Sequence, residues 1–352
     1  MNTSVQSPSA PQARTAAGGF GFAQKYKLLL KREFWENRGG FLWAPIITGI
    51  IACLFTLIGI IGGSIMLQRA KAAGKIDWQH SGIVVDGGTE ATRQAIGGTG
   101  DIFFLGGLGL ALAVMVFVVF FYALGSLYDE RRDRSVLFWK SLPVSDNVTV
   151  FSKASWALVL APALSIGVGI AIGTAILLLM TVAFMLNGIP DASALLLESH
   201  PLRILGGALS MLPVYILWAL PTVGWLMLCS SWARRLPFLW AVLVPILGCA
   251  MVSMMAGIAG AISGAEFPHG AMWYTVVFRG LLSIVPMTWN ANEQVGAQLE
   301  NIQIDGPQDF ARLFDMSHSW AAFGTLELWI GAAIGIAMIV LATRLRRWRD
   351  EG

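Results

Sequence analysis

Residues Phe41 to Gln68 read FLWAPIITGIIACLFTLIGIIGGSIMLQ, and no charged residue lies between Arg38 and Arg69. A helix needs about 20 apolar residues to cross ~30 Å of hydrocarbon. This run therefore reads as one membrane crossing. Five more charge-poor stretches follow it, at about 102–128, 154–186, 204–232, 236–265 and 321–341. The last of these carries one internal acid, Glu327.

Composition agrees with this count. The chain has 352 residues, 56% of them hydrophobic and 13% charged, against about 25% charged in an average soluble domain. The expected fold is an all-α integral membrane protein with six transmembrane helices in a single transmembrane domain over 20–352. Residues 1–19 are rich in Ser, Ala, Pro, Gln and Gly. They read as a disordered cytoplasmic tail without the apolar core of a secretory signal.

Phe267 to Asn292 is apolar but is broken by Arg279 and Pro286. An arginine at mid-bilayer costs roughly 2.5–3.5 kcal/mol on insertion scales. The segment therefore reads as a re-entrant outer piece between spans five and six rather than a seventh span. Charge placement supports this, because Lys and Arg concentrate on the cytoplasmic side. Six precede Phe41, five lie in 129–153, two are Arg234 and Arg235, and four are in the tail at Arg344, Arg346, Arg347 and Arg349. The outer segments carry seven, spread over more residues. Six spans put both termini in the cytoplasm.

Two segments outside the spans carry pattern. Gln24 to Arg38 reads as an interfacial helix, with Tyr26, Leu29, Leu30 and Phe34 on one face and Glu33 spoiling that face. Gly39-Gly40 would bend it into the first span. Between spans two and three, alternating charges from Asp129 to Arg134 precede Val136, Leu137, Phe138, Trp139 and Leu142, and Pro143 ends the helix. A solvated loop has no need of a Phe-Trp pair. A short helix with exposed aromatics and a charged rim suits docking into a groove on a partner protein.

Several chemistries are missing from the sequence. No Gly-rich loop ends in Gly-Lys-Ser/Thr, and neither His-Glu-x-x-His nor Gly-x-Ser-x-Gly occurs. No catalytic or metal-ligating set is therefore expected. Cys53, Cys229 and Cys249 read as small buried residues without metal spacing. A net charge of +3 gives no reason to expect nucleic acid. Arg279 and Glu327 are the candidates for an intramembrane or gating role. Small-residue pairs at Gly169/Gly173, Gly260/Gly264 and Gly331/Gly335 allow close helix approach.

The run Leu127-Tyr128-Asp129-Glu130-Arg131-Arg132-Asp133-Arg134-Ser135-Val136-Leu137-Phe138-Trp139-Lys140-Ser141-Leu142-Pro143-Val144-Ser145 closely resembles the loop after the second span of ABC type-2 transporter permeases. The resemblance implies an exporter subunit of the bacterial inner membrane that pairs with a second permease copy or homologue. It implies two cytoplasmic ATPase subunits, which hold the ATP and Mg; this chain would bind no cofactor itself. In this likeness 129–146 holds a cytoplasmic coupling helix. Asp129, Glu130, Arg131, Arg132, Asp133 and Arg134 would form its rim, and Phe138 and Trp139 its anchor. Trp232, Arg234 and Arg235 would make a secondary contact, and 267–292 would be the outer gate. Aliphatic and aromatic spans favour a hydrophobic or amphipathic cargo, with membrane lipids as surroundings. An ATP-driven remodelling, sensing or extraction complex of the same architecture is the alternative.

Overall fold

A computed structural model describes residues 21–74, 88–133, 145–264, 266–300, 306–314 and 319–349. Among them every regular element is helical, and six helices are long and apolar enough to cross a membrane. The chain thus has the make-up of a multi-pass membrane protein. The 1–19 tail and the heart of the expected coupling helix, including Arg134, Phe138 and Trp139, lie outside the described residues.

The first helix, α1 (Phe22–Arg38), passes through a π-helical turn at Gly39–Trp43 into α2 (Ala44–Ala72). The departure from helical geometry falls at Asn37 (φ −111°, ψ 15°) and not at the glycine pair. Beside that kink the Asn37 side-chain amide donates to the Glu33 carbonyl at 3.1 Å.

The second span is α3 (Gly88–Gly125), followed by the single turn α4 (Tyr128–Arg132). It starts well before the apolar run, so Asp101 lies inside a helix instead of ahead of one. Asp101 is fully buried, and its carboxylate accepts the His200 backbone N–H at 2.6 Å. That bond serves His200, the residue before the helix Pro201–Ser210, where the first N–H groups have no partner within the helix.

The third span is unbroken from α5 (Asp146–Ser155) through a π-helical turn at Trp156–Leu160 to α6 (Ala161–Leu186). One long helix was expected there. After the short α7 (Ala194–Leu197), the fourth stretch divides into α8 (Pro201–Ser210) and α9 (Leu212–Trp232). Pro213 in the first turn of α9 explains the break. It has no N–H to continue the ladder, and its ring opposes the preceding turn. The fifth span, α10 (Val244–Ser263), follows a π-helical turn at Leu239–Leu243.

The segment after it is broken, as its prolines and Arg279 suggest. It contains α11 (His269–Trp273), a π-helical stretch at Tyr274–Arg279, a 3-10 turn at Thr288–Ala291 and α12 (Glu293–Glu300). The last span, α13 (Leu326–Arg349), begins later and ends later than the hydropathy implies. Thr325 adopts an extended conformation that closes the preceding 3-10 turn. Glu327 therefore sits in the first turn of the span, where an acid favours the positive helix end.

The core is built on α9. Val214, Trp218, Ala219, Val223 and Leu226 are inaccessible to solvent. Helix α9 packs most extensively on α13, and α3 on α6. Both contacts use glycine. A Cβ added at Gly107 would overlap the backbone of Gly173, and one at Gly335 would overlap the backbone of Leu220 and Pro221. Backbones that close leave no room for a side chain. By contrast α2 and α10 bury almost nothing within the chain, so their apolar faces meet lipid or another protein surface.

Replacing Gly335 by Ala should cost about 1–3 kcal/mol through overpacking. Gly62→Ala, where an added Cβ meets no atom within 4 Å, should cost nothing. Thermal unfolding of the two purified variants checks the difference, and equal midpoints would contradict the packing described.

Candidate functional site: charge clusters at the two ends of the bundle

Helix α1 and the last turns of α13 converge on α5. Phe22, Asn147, Phe151, Thr343 and Arg347 line one cleft there, and the Tyr26 ring meets that of Phe151 at 5.5 Å. The two described chain ends thus share one end of the bundle, as an even number of crossings requires. That end is called basal below.

Its centre is a set of buried charges. Glu130 of α4 has its side chain only 9% exposed. It accepts Arg346 Nη1 at 2.8 Å on one oxygen, and on the other it lies 3.2 Å from both Lys153 Nζ and Arg32 Nη2. Lys153 also reaches Glu33 Oε1 at 2.9 Å, and Glu33 accepts the Tyr122 hydroxyl at 2.9 Å. Arg346 Nε lies 3.2 Å from Asp146 Oδ1, at the first residue of α5. Acids Glu33, Glu130 and Asp146 thus balance Arg32, Lys153 and Arg346. The cluster joins α1, α4, α5 and α13.

Glu33 is the residue that disturbs the apolar stripe of α1. Its side chain is fully buried, so the disturbance is the contact that holds α1 to α5. Trp156 adds to that seam, with Nε1 donating to the Leu30 carbonyl and its ring stacked on Phe34 and Phe41.

The residues expected to form a rim divide into two groups. Asp129, Arg132 and Asp133 have exposed side chains that pair with one another at 3.2–3.7 Å. Glu130 and Arg131 turn inward onto this chain's own elements. Arg131 donates to the Ser230 and Ala233 carbonyls, and the Ser230 hydroxyl accepts the N–H groups of Leu127 and Tyr128 at 3.0 and 2.9 Å. The turn after α9 is thereby clamped to the end of the second span. Arg234 and Arg235 are exposed beside that clamp, and Trp232 is half exposed, edge-on to Trp240 at 4.6 Å.

The stretch 134–144 thus has both roots held in one place. Its upstream root is gripped through Glu130 and Arg131, and its downstream root through Asp146 and Lys153. Sequence reasoning missed Glu33, Lys153, Arg346 and Asp146. The available signal was the acid on the apolar face of α1.

At the far end, the structure brings Arg279 and Glu327 together. Arg279 Nε lies 3.5 Å from Glu327 Oε1, which accepts the Tyr274 hydroxyl at 2.9 Å, while Glu327 Oε2 accepts the Asn292 amide. Arg279 is 6% exposed, sits 3.7 Å above the Trp218 ring, and donates to the Trp218 carbonyl and the Ser283 hydroxyl. Its charge therefore faces protein, where a cation over an indole is stabilised. The broken segment is latched to α9 and α13 by these bonds. Burial and the Glu327 carboxylate hold the Tyr274 phenol well above its ordinary range, so it remains a donor.

Compared with known proteins, the chain matches no family model, no curated protein and no solved structure.

Removing one member of a buried ion cluster strands its partners, at about 3–5 kcal/mol. Glu130→Ala should destabilise the purified chain by that amount, whereas Arg132→Ala, at an exposed pair, should cost under about 1 kcal/mol. Unfolding midpoints separate the two, and equal effects would mean the cluster does not hold the basal end. At the far end Glu327→Ala should cost about 3 kcal/mol, and Arg279→Met with Glu327→Leu should recover most of it. A double variant as unstable as Glu327→Ala would show that the latch is not electrostatic.

Proposed function

We propose that this chain is the membrane permease subunit of an ATP-binding cassette exporter. It sits in the bacterial inner membrane, pairs with a second copy or a homologue, and takes its energy from two separate cytoplasmic ATPase subunits that hold ATP and Mg. The observation that carries this reading is the anchoring of both roots of 134–144 in the basal charge cluster. A permease without hydrolytic residues receives free energy only as differential contact with its partner in two conformations. A docking segment helps only if force on it reaches the spans. Here the path runs through side chains with little freedom: Glu130 to Arg346 of α13, Lys153 to Glu33 of α1, and Arg131 to the end of α9.

The run 127–145 supports the choice of partner through its resemblance to the ABC type-2 loop. Phe138 and Trp139 are the anchor in this reading, with Asp129, Arg132 and Asp133 as accessible rim charges. The far latch of Arg279, Glu327, Tyr274 and Asn292 would hold the broken segment as an outer gate. The cargo is hydrophobic or amphipathic, in keeping with apolar faces on α2 and α10.

Phe138→Ala combined with Trp139→Ala should abolish co-purification with the ATPase subunit while membrane insertion stays intact. Pull-down stoichiometry from solubilised membranes is the measurement. An undiminished ATPase yield would overturn the docking role.

A further inference from the structure

The basal cleft between α1, α5 and α13 has a volume of about 560 Å³. Its lining changes character along the bundle axis. Ile339 and Val340 of α13, with Val150 and Phe151 of α5, form an apolar half deeper in the spans. Arg344 and Arg347 of α13, with Asn147 of α5, form a polar half at the helix ends. Both helices impose the same order, because α5 begins at the end of the bundle where α13 finishes. At a rise of 1.5 Å per residue, Val340 stands about 10 Å deeper than Arg347.

The chain makes little use of these two arginines itself. Arg344 is exposed and forms no hydrogen bond or ion pair among the described residues. The Arg347 side chain is 55% exposed and reaches Asp146 only at 4.0 Å, while the other oxygen of Asp146 lies 3.2 Å from Arg346. Among the described residues no acid lines the cleft. Residues 1–21, which lead to Phe22 in its wall, contain no acid that would complement it.

An occupant therefore needs an anionic head at the level of the helix ends and a hydrocarbon part about 10 Å deeper. A protein docking from solution supplies the first and not the second. A molecule lying in the bilayer supplies both. Basic pockets between spans near a membrane surface take anionic head groups, and arginine meets phosphate oxygens with paired N–H donors. Trp348, exposed in the same turn of α13 as Arg347, suits head-group depth.

We propose that this cleft binds a phospholipid of net negative charge from the leaflet at the basal end. Its phosphodiester oxygens accept from Arg344 and Arg347, and an acyl chain lies along Val340 and Phe151. The site goes beyond the transport reading and does not depend on it, because it lies within one chain and needs neither a second copy nor an ATPase.

The test uses the full-length purified chain in a maltoside detergent and a phosphatidylglycerol probe with a diazirine in one acyl chain. Photolysis and peptide mapping should place label within 147–151 or 339–344. Unlabelled phosphatidylglycerol should displace the probe about tenfold better than phosphatidylcholine, since each arginine near a membrane surface contributes about fivefold. Inorganic phosphate at the same concentration should displace none, and displacement by it would overturn the lipid in favour of a free anion. Arg344→Gln with Arg347→Gln should abolish the preference for the anionic lipid. Lys27→Gln with Lys31→Gln, at exposed cations of α1 outside the cleft, should leave it intact. Equal losses in the two pairs would reduce the effect to general surface charge and overturn the site, as would label confined to α2 and α10. Should the double arginine variant fail to fold, Arg344→Gln alone removes no contact within the described chain, and an unchanged preference there overturns the proposal.

Discussion

The contact on which the basal end depends is Lys153 between two buried carboxylates, Glu33 at 2.9 Å and Glu130 at 3.2 Å. A lone ammonium or carboxylate in such a place costs several kcal/mol in lost hydration. Each of these ions is therefore tolerated only where the others stand. The requirement is reciprocal, and it reaches further than the pair. Glu130 needs Arg346 to balance its second oxygen, and Arg346 is held in turn by Asp146. Four elements distant in sequence must arrive together before any of these charges is satisfied. Apolar burial alone does not impose that demand, because the hydrophobic effect is non-directional.

That demand explains how the rest is arranged. Between the two ends, α9 packs on α13 and α3 on α6 through glycine and aliphatic contacts. Those contacts set distance but give little polar specificity. Register is fixed at the ends, by the Glu130 cluster on one side and by the Arg279–Glu327 latch on the other. Helix α13 takes part in both, with Glu327 in its first turn and Arg346 in its last. A displacement of α13 along its axis would have to break one charge set or carry both.

The crossings were legible in the sequence because hydropathy reports lipid contact directly, and 41–68 contains a crossing by length and absence of charge alone. Helix ends were less legible. Asp101 marks the edge of an apolar run and not the edge of a helix, because its carboxylate is buried within α3, where it accepts the His200 N–H. The fourth span likewise starts where Pro213 interrupts the ladder and not where the apolar run begins. The clusters were the least legible. Arg279 and Glu327 stood out as isolated charges in apolar surroundings, yet nothing local states that they meet. Glu130 and Arg346 are partners across most of the chain. Glu33 was visible only as a fault in an amphipathic pattern, and a fault of that kind records a tertiary partner that the helix itself cannot name.

The two clusters also differ in what they permit. At the basal end, cations and acids balance with little solvent access at the centre, while at its edge Arg32 also pairs with the exposed Glu36 and Asp146 lies 4.0 Å from the exposed Arg347. At the far end Glu327 keeps about a quarter of its side chain exposed, and Tyr274 and Asn292 share it with Arg279. Water can replace a bond there as it breaks, which lowers the barrier to opening without requiring a weak closed state. A buried charge set at one end and a partly solvated one at the other would, in a chain that works as proposed, keep the basal end rigid and let the far end open.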